Sequence, residues 1–360
     1  MNSGKGHEST RYPEVSVDGT PREMGRQIGE SLREPIRGFC EIAVSHCNKT
    51  VAISPARAMS IAEASIPLAE AYSPDMVAEM RGTAEAAGVS LAALMLLQVR
   101  NQFLPEPESG CTSFSISANA TADGHAIVAQ NWDNDPWLDE FIVVLTRRPV
   151  GRPAWMALTP AGLISYFGLN RAGIAMCGNA LPAPSRETGV PYYFVLRAIH
   201  QATTFDEVST AVAQAKHAIP ANVMLATPQG PADLEITLDA IRVLRDEGAG
   251  YITHTNHCVH PDLTAINDSF SELIDSRPRK HRIDKLLAEN SHPFTINDVQ
   301  RFLSDHDRYP RSICRHENDD PCHGFWKTVF SLVVQPTAGC MHVSRGNPCC
   351  RPYETYTLDS

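Results

Sequence analysis

The sequence predicts an α+β protein in which two antiparallel sheets pack together and helices cover their outer faces. The hydrophobic period is helical over most of residues 1–110 and becomes the period of two, typical of strands, from residue 111. Strand-like and helix-like segments then occur in separate blocks rather than in strict alternation. The pattern by itself leaves a three-layer arrangement open.

The first block, residues 1–110, is predicted to hold a short strand followed by helices. "VSVDG" alternates like a strand, and Thr20 can cap the helix that follows, with Pro21 at its first position. Glu23, three residues after Thr20, allows a capping box. "SIAEASIPLAEAY" is a second helical pattern, weakened by Pro67. The later boundaries carry similar signals: Ser73-Pro74, Gly88 and Ser90.

The block after residue 110 is predicted to begin with a hairpin. "CTSFSISA" and "HAIVAQNWD" alternate and are separated by the turn "NATADG". Residues 191–217 and 264–304 return to a helical pattern. Further strands are predicted at "EFIVVLTRRP", "AWMALTP", "LISYFGLN", "GIAMCGNAL", "ANVMLATP", "DLEITLDA", "AIRVLRDEG", "TVFSLVVQP", "GCMHVSR" and "YETYTL".

Composition and charge exclude some functions. Of the 360 residues, 43% are hydrophobic and 20% charged, which suits a globular protein with a large core. The net charge of −10 argues against a nucleic-acid partner. The basic run "RPRKHR" at 277–282 is interpreted as a solvated helix face. With no secretory signal pattern and no apolar run of about 18–20 residues, we expect a soluble, cytoplasmic protein that does not bind membranes.

Most of the ten cysteines are predicted to be reduced, buried thiols, and no metal site is predicted. There is no C-x-x-C pair, and the adjacent cysteines 349–350 would make a strained bridge. His254, His257, Cys258 and His260 crowd seven residues, but in an extended strand His257 points away from the face of His254. These four are therefore interpreted as motif and core residues.

Cys111 occupies an unusual position, directly after Gly110 and at the start of a predicted strand. The even-numbered residues 112–118 form an apolar face, whereas the odd-numbered residues 111–117 form a small polar face led by Cys111. Gly110 allows close approach to its carbonyl, which the neighbouring thiol could attack. Hydrolysis of the resulting thioester would leave Cys111 as a new N-terminus. Its α-amine, with a pKa of about 7.7–8.0, could activate the thiol.

Five motifs occur in one order along the chain. They are "DGTPREMGRQIGESLRE" at 18–34, "GCTSF" at 110–114, "QNWD" at 130–133, "THTNHCVHP" at 253–261 and "DHDRYPRSICRH" at 305–316. Together they resemble the acyl-coenzyme A:6-aminopenicillanic-acid acyltransferase family of self-cleaving N-terminal-nucleophile enzymes. The resemblance implies a four-layer αββα sandwich and an inactive precursor, or zymogen. It also implies that autoproteolysis releases residues 1–110 as a helical α fragment, which stays with the catalytic β fragment 111–360 as a heterodimer within one structural domain.

The resemblance also implies site residues. Gly110–Cys111 would be the scissile bond and Cys111 the nucleophile. Asp133 would hold the α-ammonium or orient a substrate amine, and Asn256 would donate to the oxyanion. Arg315 would act together with Asp133. Supporting roles are expected for Ser113, which stands where the acyltransferase has threonine, and for Thr112 and His257. The structural alternatives are a surface or turn aspartate for Asp133, a turn asparagine for Asn256 and a buried ion pair for Arg315.

The function expected from these residues is hydrolysis of a small N-acyl amide through a thioester acyl-enzyme. An acyltransferase that moves an acyl group from coenzyme A or an amide to an amine such as 6-aminopenicillanic acid is the alternative. No cofactor is expected, and coenzyme A would enter only as a co-substrate. Two other readings stay open: an uncleaved Cys111 paired with a histidine, and a non-catalytic metal-binding or interaction protein. A homo-oligomer is also left open.

Overall fold

A computed structural model describes residues 9–47, 49, 51–103 and 110–359. Its helices over these residues are α1 (Pro21–Ser31), α2 (Arg33–Cys47), α3 (Pro55–Tyr72), α4 (Pro74–Ala87), α5 (Leu91–Val99), α6 (Tyr192–Gln201), α7 (Phe205–Gln214), α8 (Ser276–Ala288) and α9 (Ile296–Leu303). Its strands are β1 (Glu14–Gly19), β2 (Gly110–Ile116), β3 (Ile127–Asn134), β4 (Ile142–Pro149), β5 (Trp155–Pro160), β6 (Phe167–Asn170), β7 (Ala175–Ala180), β8 (Ala221–Thr227), β9 (Gly230–Ile236), β10 (Ile241–Arg245), β11 (Tyr251–His254), β12 (Lys327–Gln335), β13 (Cys340–Arg345) and β14 (Tyr353–Thr357).

The strands form two sheets that pack face to face. The first sheet has the order β1-β4-β5-β6-β7-β8-β9-β10, and the second has the order β11-β2-β3-β12-β13-β14. Every pairing is antiparallel except the parallel pair of β1 and β4. β2 contacts β7 and β8 across the sandwich, whereas α8 and α9 cover the outer face of the second sheet and α1 and α6 contact the first. The predicted four-layer αββα arrangement is confirmed.

The predicted signals for helix ends in the N-terminal block are confirmed. The backbone N–H of Thr20 donates to Glu23 Oε2 at 2.8 Å before α1, and Ser90 Oγ accepts from Ala93 N–H at 3.0 Å before α5. Gly88 ends α4 with φ of +71°, a left-handed conformation that glycine adopts without strain. Pro67 lies inside α3, which continues through it. Among the described residues, no helix is both long and apolar enough to cross a membrane.

The helical prediction for residues 264–304 is correct only in part. A short 3-10 turn at Thr264–Ser269 precedes α8 and α9, which are separated by residues 289–295. Before α8, Ile274 and Asp275 have φ of +37° and +53°. This left-handed backbone cannot continue a right-handed helix, so α8 begins only at Ser276.

The β2–β3 hairpin has the two faces that its alternation predicts. Phe114 and Ile116 pack on the helix side, in one cluster with Ile283 and Leu287 of α8. Ser113 faces the other sheet, where its hydroxyl accepts from Asn179 Nδ2 at 2.7 Å. In the described structure the ten cysteines form no disulfide bond. Cys111 therefore stands at the end of an interior strand with its side chain between the two sheets.

Candidate active site

The thiol of Cys111 lies in a buried, aromatic environment. Cys111 is fully buried and pairs across the hairpin with Trp132, which shares its face of the sheet. Burial, followed by the neighbouring Tyr193 and Cys111, raises the pKa of Tyr166 and of Tyr192 well above the ordinary value. Both phenols are therefore neutral at physiological pH and can act only as neutral hydrogen-bonding groups beside the thiol.

Gly110 leaves no room for a Cβ atom unless the Ile274 side chain moves. A Cβ atom at this position would lie 1.5 Å from Cδ1 of Ile274, so no other residue fits without a rearrangement. Ile274 is itself buried, and its φ of +37° is a strained value for a β-branched residue. Strained backbone of this kind is concentrated at functional sites. The bond predicted to break thus begins at a glycine pressed against a strained segment.

Asn256 reaches Cys111 because of strand pairing. β11 is antiparallel to β2 and places His254 opposite Ser113. Continuing that register by two residues brings Asn256 opposite Cys111. Asn256 Oδ1 accepts from the Cys111 backbone N–H and from Arg279 Nη2, each at 2.8 Å. Nδ2 donates to Ala180 O at 3.0 Å, so both ends of the amide agree with this orientation.

Arg279 is the residue that the sequence interpretation missed. The basic run at 277–282 was interpreted as a solvated face, and this is wrong for Arg279, which is 1% exposed. Its Nη1 donates to the Cys111 carbonyl oxygen at 2.6 Å and to Thr112 Oγ1 at 2.9 Å, and its Nε donates to Ile274 O at 2.9 Å. One guanidinium therefore holds the Cys111 carbonyl, the strained segment and Asn256 together. The side chain of the exposed neighbour Arg277 instead forms a surface ion pair with Glu272.

The reason that Arg279 is buried can be read from α8. Arg279, Ile283 and Leu287 recur every four residues and are all buried, so the arginine lies on the apolar stripe of the helix. A cation on such a stripe needs acceptors inside the protein. Burial lowers the pKa of Arg279, and Asp133 partly offsets this. The signal was present in the sequence, as an arginine in phase with core residues.

Asp133 lies on the opposite face of β3 from Trp132, beside Gly110, with which it pairs. Its Oδ1 accepts from Thr328 Oγ1 at 2.7 Å, whereas its buried Oδ2 has no hydrogen-bond partner among the described residues. Burial raises the pKa of Asp133 to about 6, although Arg279, Thr328 and Arg315 act in the opposite direction. The carboxyl is thus adjacent to the predicted scissile bond and retains one free acceptor.

Arg315 is brought close to Asp133 through Thr328. The Arg315 backbone N–H donates to Thr328 Oγ1 at 3.0 Å, and this hydroxyl in turn donates to Asp133. The Arg315 side chain donates to the carbonyls of Trp326 and His323 at 3.3 and 3.4 Å, and Nη1 has no partner among the described residues. The arginine and the aspartate therefore interact through space and through a shared threonine.

Of the supporting residues, Thr112 and Ser113 contact the site and His257 lies next to it. Thr112 binds Arg279 on the helix side, and Ser113 binds Asn179 on the other. His257 Nδ1 pairs with Ser276 Oγ at 2.7 Å, and the same hydroxyl accepts from Asn256 N–H at 2.8 Å. Burial, followed by nearby positive groups, lowers the pKa of His257 to about 4, so its ring is neutral at pH 7.

The crowded histidine motif does not converge on a single point. His254 is fully buried and pairs with Glu235 Oε1 at 2.8 Å. His257 faces Ser276, while the backbone N–H of Cys258 binds Asn267. His260 Nδ1 accepts from Asp262 N–H at 3.2 Å. The motif instead serves to hold the segment that carries Asn256.

The fold is an αββα sandwich with a buried cysteine at the start of an interior strand. Comparison with known proteins defines the family. The sequence model for acyl-coenzyme A:6-aminopenicillanic acid acyl-transferase matches residues 120–349, more than half of the chain. The chain belongs to this acyltransferase family. The match includes Asp133, Asn256 and Arg315, whereas Gly110 and Cys111 precede it.

One relative matches along nearly the whole chain. The acyl-coenzyme A:6-aminopenicillanic-acid-acyltransferase 40 kDa form of Emericella nidulans is 28% identical over 352 residues, covering 96% of this chain and 95% of the relative. Among solved structures, a variant of conjugated bile acid hydrolase from Clostridium perfringens matches with 12% identity and a TM-score of 0.47, over 69% of this chain and 97% of its own. Penicillin V acylase from Agrobacterium tumefaciens matches with 11% identity and a TM-score of 0.43, over 65% and 82%.

Proposed function

We propose that this protein is a self-cleaving cysteine amidohydrolase that acts on a small N-acyl amide through a thioester. One observation carries the proposal. The backbone of Cys111 is held on both sides, its N–H by Asn256 and its carbonyl by Arg279, directly after a glycine at which a Cβ would collide with the Ile274 side chain. These contacts fix the backbone on both sides of the Cys111 side chain, next to the bond that would break.

In the proposed cleavage, the Cys111 sulfur attacks the Gly110 carbonyl carbon. The C–N bond to Cys111 breaks, the nitrogen takes the thiol proton, and Gly110 becomes a thioester on the sulfur. Water then hydrolyses the thioester, which leaves a Gly110 carboxylate, a free thiol and a free α-amine on Cys111. Strain at Ile274 would assist this step if it is relieved when the chain breaks.

In turnover, the new α-amine takes the thiol proton as the sulfur attacks the substrate amide. The resulting α-ammonium protonates the leaving amine, and water hydrolyses the acyl-enzyme. Asn256 Nδ2 carries two hydrogens, of which one is directed at Ala180 O, so the second is suited to donate to the oxyanion. Such a donor is typically worth about 3 kcal/mol in the transition state.

The α-ammonium formed by cleavage would need a buried acceptor. Asp133 Oδ2 has no partner among the described residues of the uncut chain and lies beside Gly110. An ammonium at this position would pair with the carboxylate and lower its pKa below the value of about 6 found before cleavage. Arg315, acting through Thr328, would keep the carboxylate oriented.

The two fragments would remain associated because each completes the other's core. β1, from the N-terminal fragment, forms an edge of the first sheet by pairing with β4. Tyr12, next to that strand, donates its backbone N–H to the hydroxyl of Tyr356 at 2.8 Å, near the other end of the chain. The loop at 104–109, which we expect to move after cleavage, lies outside the described residues.

Acyl transfer is the second candidate, favoured by the name of the Emericella nidulans relative. In that case an amine such as 6-aminopenicillanic acid, rather than water, would resolve the acyl-enzyme. The chemistry at Cys111 would be the same until that last step. Turnover of N-acyl compounds with and without acceptor amines, scored for released and for acylated amine, separates the two functions.

Self-cleavage is tested first on a denaturing gel, with intact masses by mass spectrometry. Purified protein should give fragments of 110 and 250 residues, the larger beginning with Cys111. Cys111→Ala should stay intact and inactive, whereas Cys350→Ser, which changes an exposed thiol, should be cut normally. An intact chain with full amidase activity would contradict the mechanism and favour an uncleaved Cys–His enzyme.

A further inference from the structure

A second group of reactive side chains lies outside the candidate active site. Nitrogen and sulfur atoms of His306, Cys314, His316 and Cys349 all lie within 4.8 Å of one another, and this is the one such group found among the described residues. Three members come from the segment 306–316 between α9 and β12, and Cys349 comes from the connection between β13 and β14. The chain thus brings two imidazoles and two thiols together from two separate segments.

Three distances from His316 Nε2 to the other three side chains match the edges of a tetrahedral metal site. Zinc–nitrogen distances of about 2.0–2.1 Å and zinc–sulfur distances of about 2.3 Å imply tetrahedral edges of about 3.3 Å between nitrogens and about 3.6 Å between nitrogen and sulfur. His306 Nε2 and His316 Nε2 are 3.2 Å apart. His316 Nε2 lies 3.7 Å from Cys314 Sγ and 3.6 Å from Cys349 Sγ. All three edges agree with the tetrahedron.

The backbone around the four side chains holds them in place. Cys314 N–H donates to Asp305 O at 3.0 Å, and His316 N–H donates to Pro310 O at 2.9 Å. Asn347 Nδ2 donates to Cys314 Sγ at 3.4 Å and to Arg315 O at 2.7 Å, which ties the two segments together. A donor directed at a thiolate sulfur is the kind of outer contact that orients a metal ligand.

We propose that His306, Cys314, His316 and Cys349 bind one Zn²⁺ ion in a closed structural site. Two thiolates and two neutral imidazoles balance the charge of the ion and form the Cys₂His₂ donor set typical of structural zinc. The site would fasten the segment 306–316 to the β13–β14 connection. Since Arg315 lies between two of the ligands, the same ion would fix the backbone that positions this arginine near Asp133. The proposal does not depend on self-cleavage.

The metal content of the full-length protein tests the proposal. Protein stripped with a chelator and then titrated with Zn²⁺ should bind one equivalent per chain. Co²⁺ in place of zinc should show the ligand-field bands of a tetrahedral site and a thiolate-to-cobalt charge-transfer band. With zinc bound, a thiol-alkylating reagent should modify Cys350 but spare Cys314 and Cys349.

Matched variants locate the site. Cys349→Ser and His306→Ala each remove one exposed ligand and should weaken Zn²⁺ binding by more than the roughly 10–100-fold that loss of an outer partner costs. Cys350→Ser, at the adjacent exposed cysteine, should bind Zn²⁺ as the parent does. Circular dichroism verifies that each variant is folded.

Three results would overturn the proposal. One is binding of less than one equivalent by the parent protein. Another is Zn²⁺ affinity unchanged in Cys349→Ser and His306→Ala. The third is alkylation of Cys349 at the same rate in the zinc-bound and the metal-free protein.

Discussion

Replacing Asp133 by asparagine tests whether burial or the nearby arginines dominate the pKa of this carboxyl beside Gly110. Asparagine has nearly the same shape and can keep the hydrogen bond from Thr328, but it carries no titratable charge. The comparison is made in a Cys111→Ala background, so that both chains remain uncut. The difference in free energy of unfolding between the two chains then reports the ionisation of Asp133.

The magnitude follows from the pKa of Asp133, which burial raises from 3.8 to about 6. A raised carboxyl pKa means that the folded chain binds the proton more tightly than the unfolded chain. The contribution to stability is therefore fully present below pH 3.8 and is lost as the pH rises through about 6. The shift of this pKa from 3.8 to about 6 corresponds to about 3 kcal/mol in the free energy of unfolding, because one pKa unit is worth about 1.4 kcal/mol.

Urea unfolding at a series of pH values between about 4 and about 8 measures this difference. Relative to the aspartate chain, Asp133→Asn should become more stable by up to about 3 kcal/mol as the pH rises across that range. Parallel pH profiles for the two chains would refute the reasoning. A relative stability that falls with pH would show that Arg279 and Arg315 outweigh burial.

Three further predictions concern the remaining contacts. Arg279→Met should destabilise the uncut chain by about 3–5 kcal/mol in urea unfolding, because it leaves several buried acceptors without a donor, whereas Arg277→Met on the exposed side of α8 should change little. A similar loss of stability in Arg279→Met and Arg277→Met would show that Arg279 has no special role. Asn256→Ala should lower the turnover rate by about 10²–10³-fold in initial-rate assays, and unchanged turnover would remove Asn256 from the oxyanion site. Gly110→Ala should block fragment formation through the clash with Ile274. Adding Ile274→Ala to the Gly110→Ala chain should restore fragment formation if this clash is the cause.

Local elements were predictable because their signals lie within a few residues. The Thr20–Glu23 pair and Gly88 mark helix ends through contacts that any chain with those residues can make. The β2–β3 hairpin follows from two alternating segments and a short turn, and it places Asp133 next to Gly110. The neighbourhood of one strand pair could therefore be derived from the sequence with no knowledge of the rest.

The remaining parts of the site depend on contacts between distant segments. Asn256 reaches Cys111 only because β11 pairs with β2, across 145 residues of chain. Arg279 lies in a charged run whose composition indicates exposure. Its helical phase with Ile283 and Leu287, however, indicates burial. The group of His306, Cys314, His316 and Cys349 has no compact sequence motif, because Cys349 comes from the connection between β13 and β14. Periodicity does not specify which distant segments meet.

The parallel pairing of β1 with β4 has a consequence for how the mature protein unfolds. Before the proposed cut, β1 belongs to the same chain as its partner, and refolding is unimolecular. After the cut, the two chains must find each other, so the free energy of unfolding depends on protein concentration. Dilution would then weaken the cut protein and leave the Cys111→Ala chain unaffected. Cleavage would thus make assembly a step that the protein completes once, while its two parts are still covalently joined.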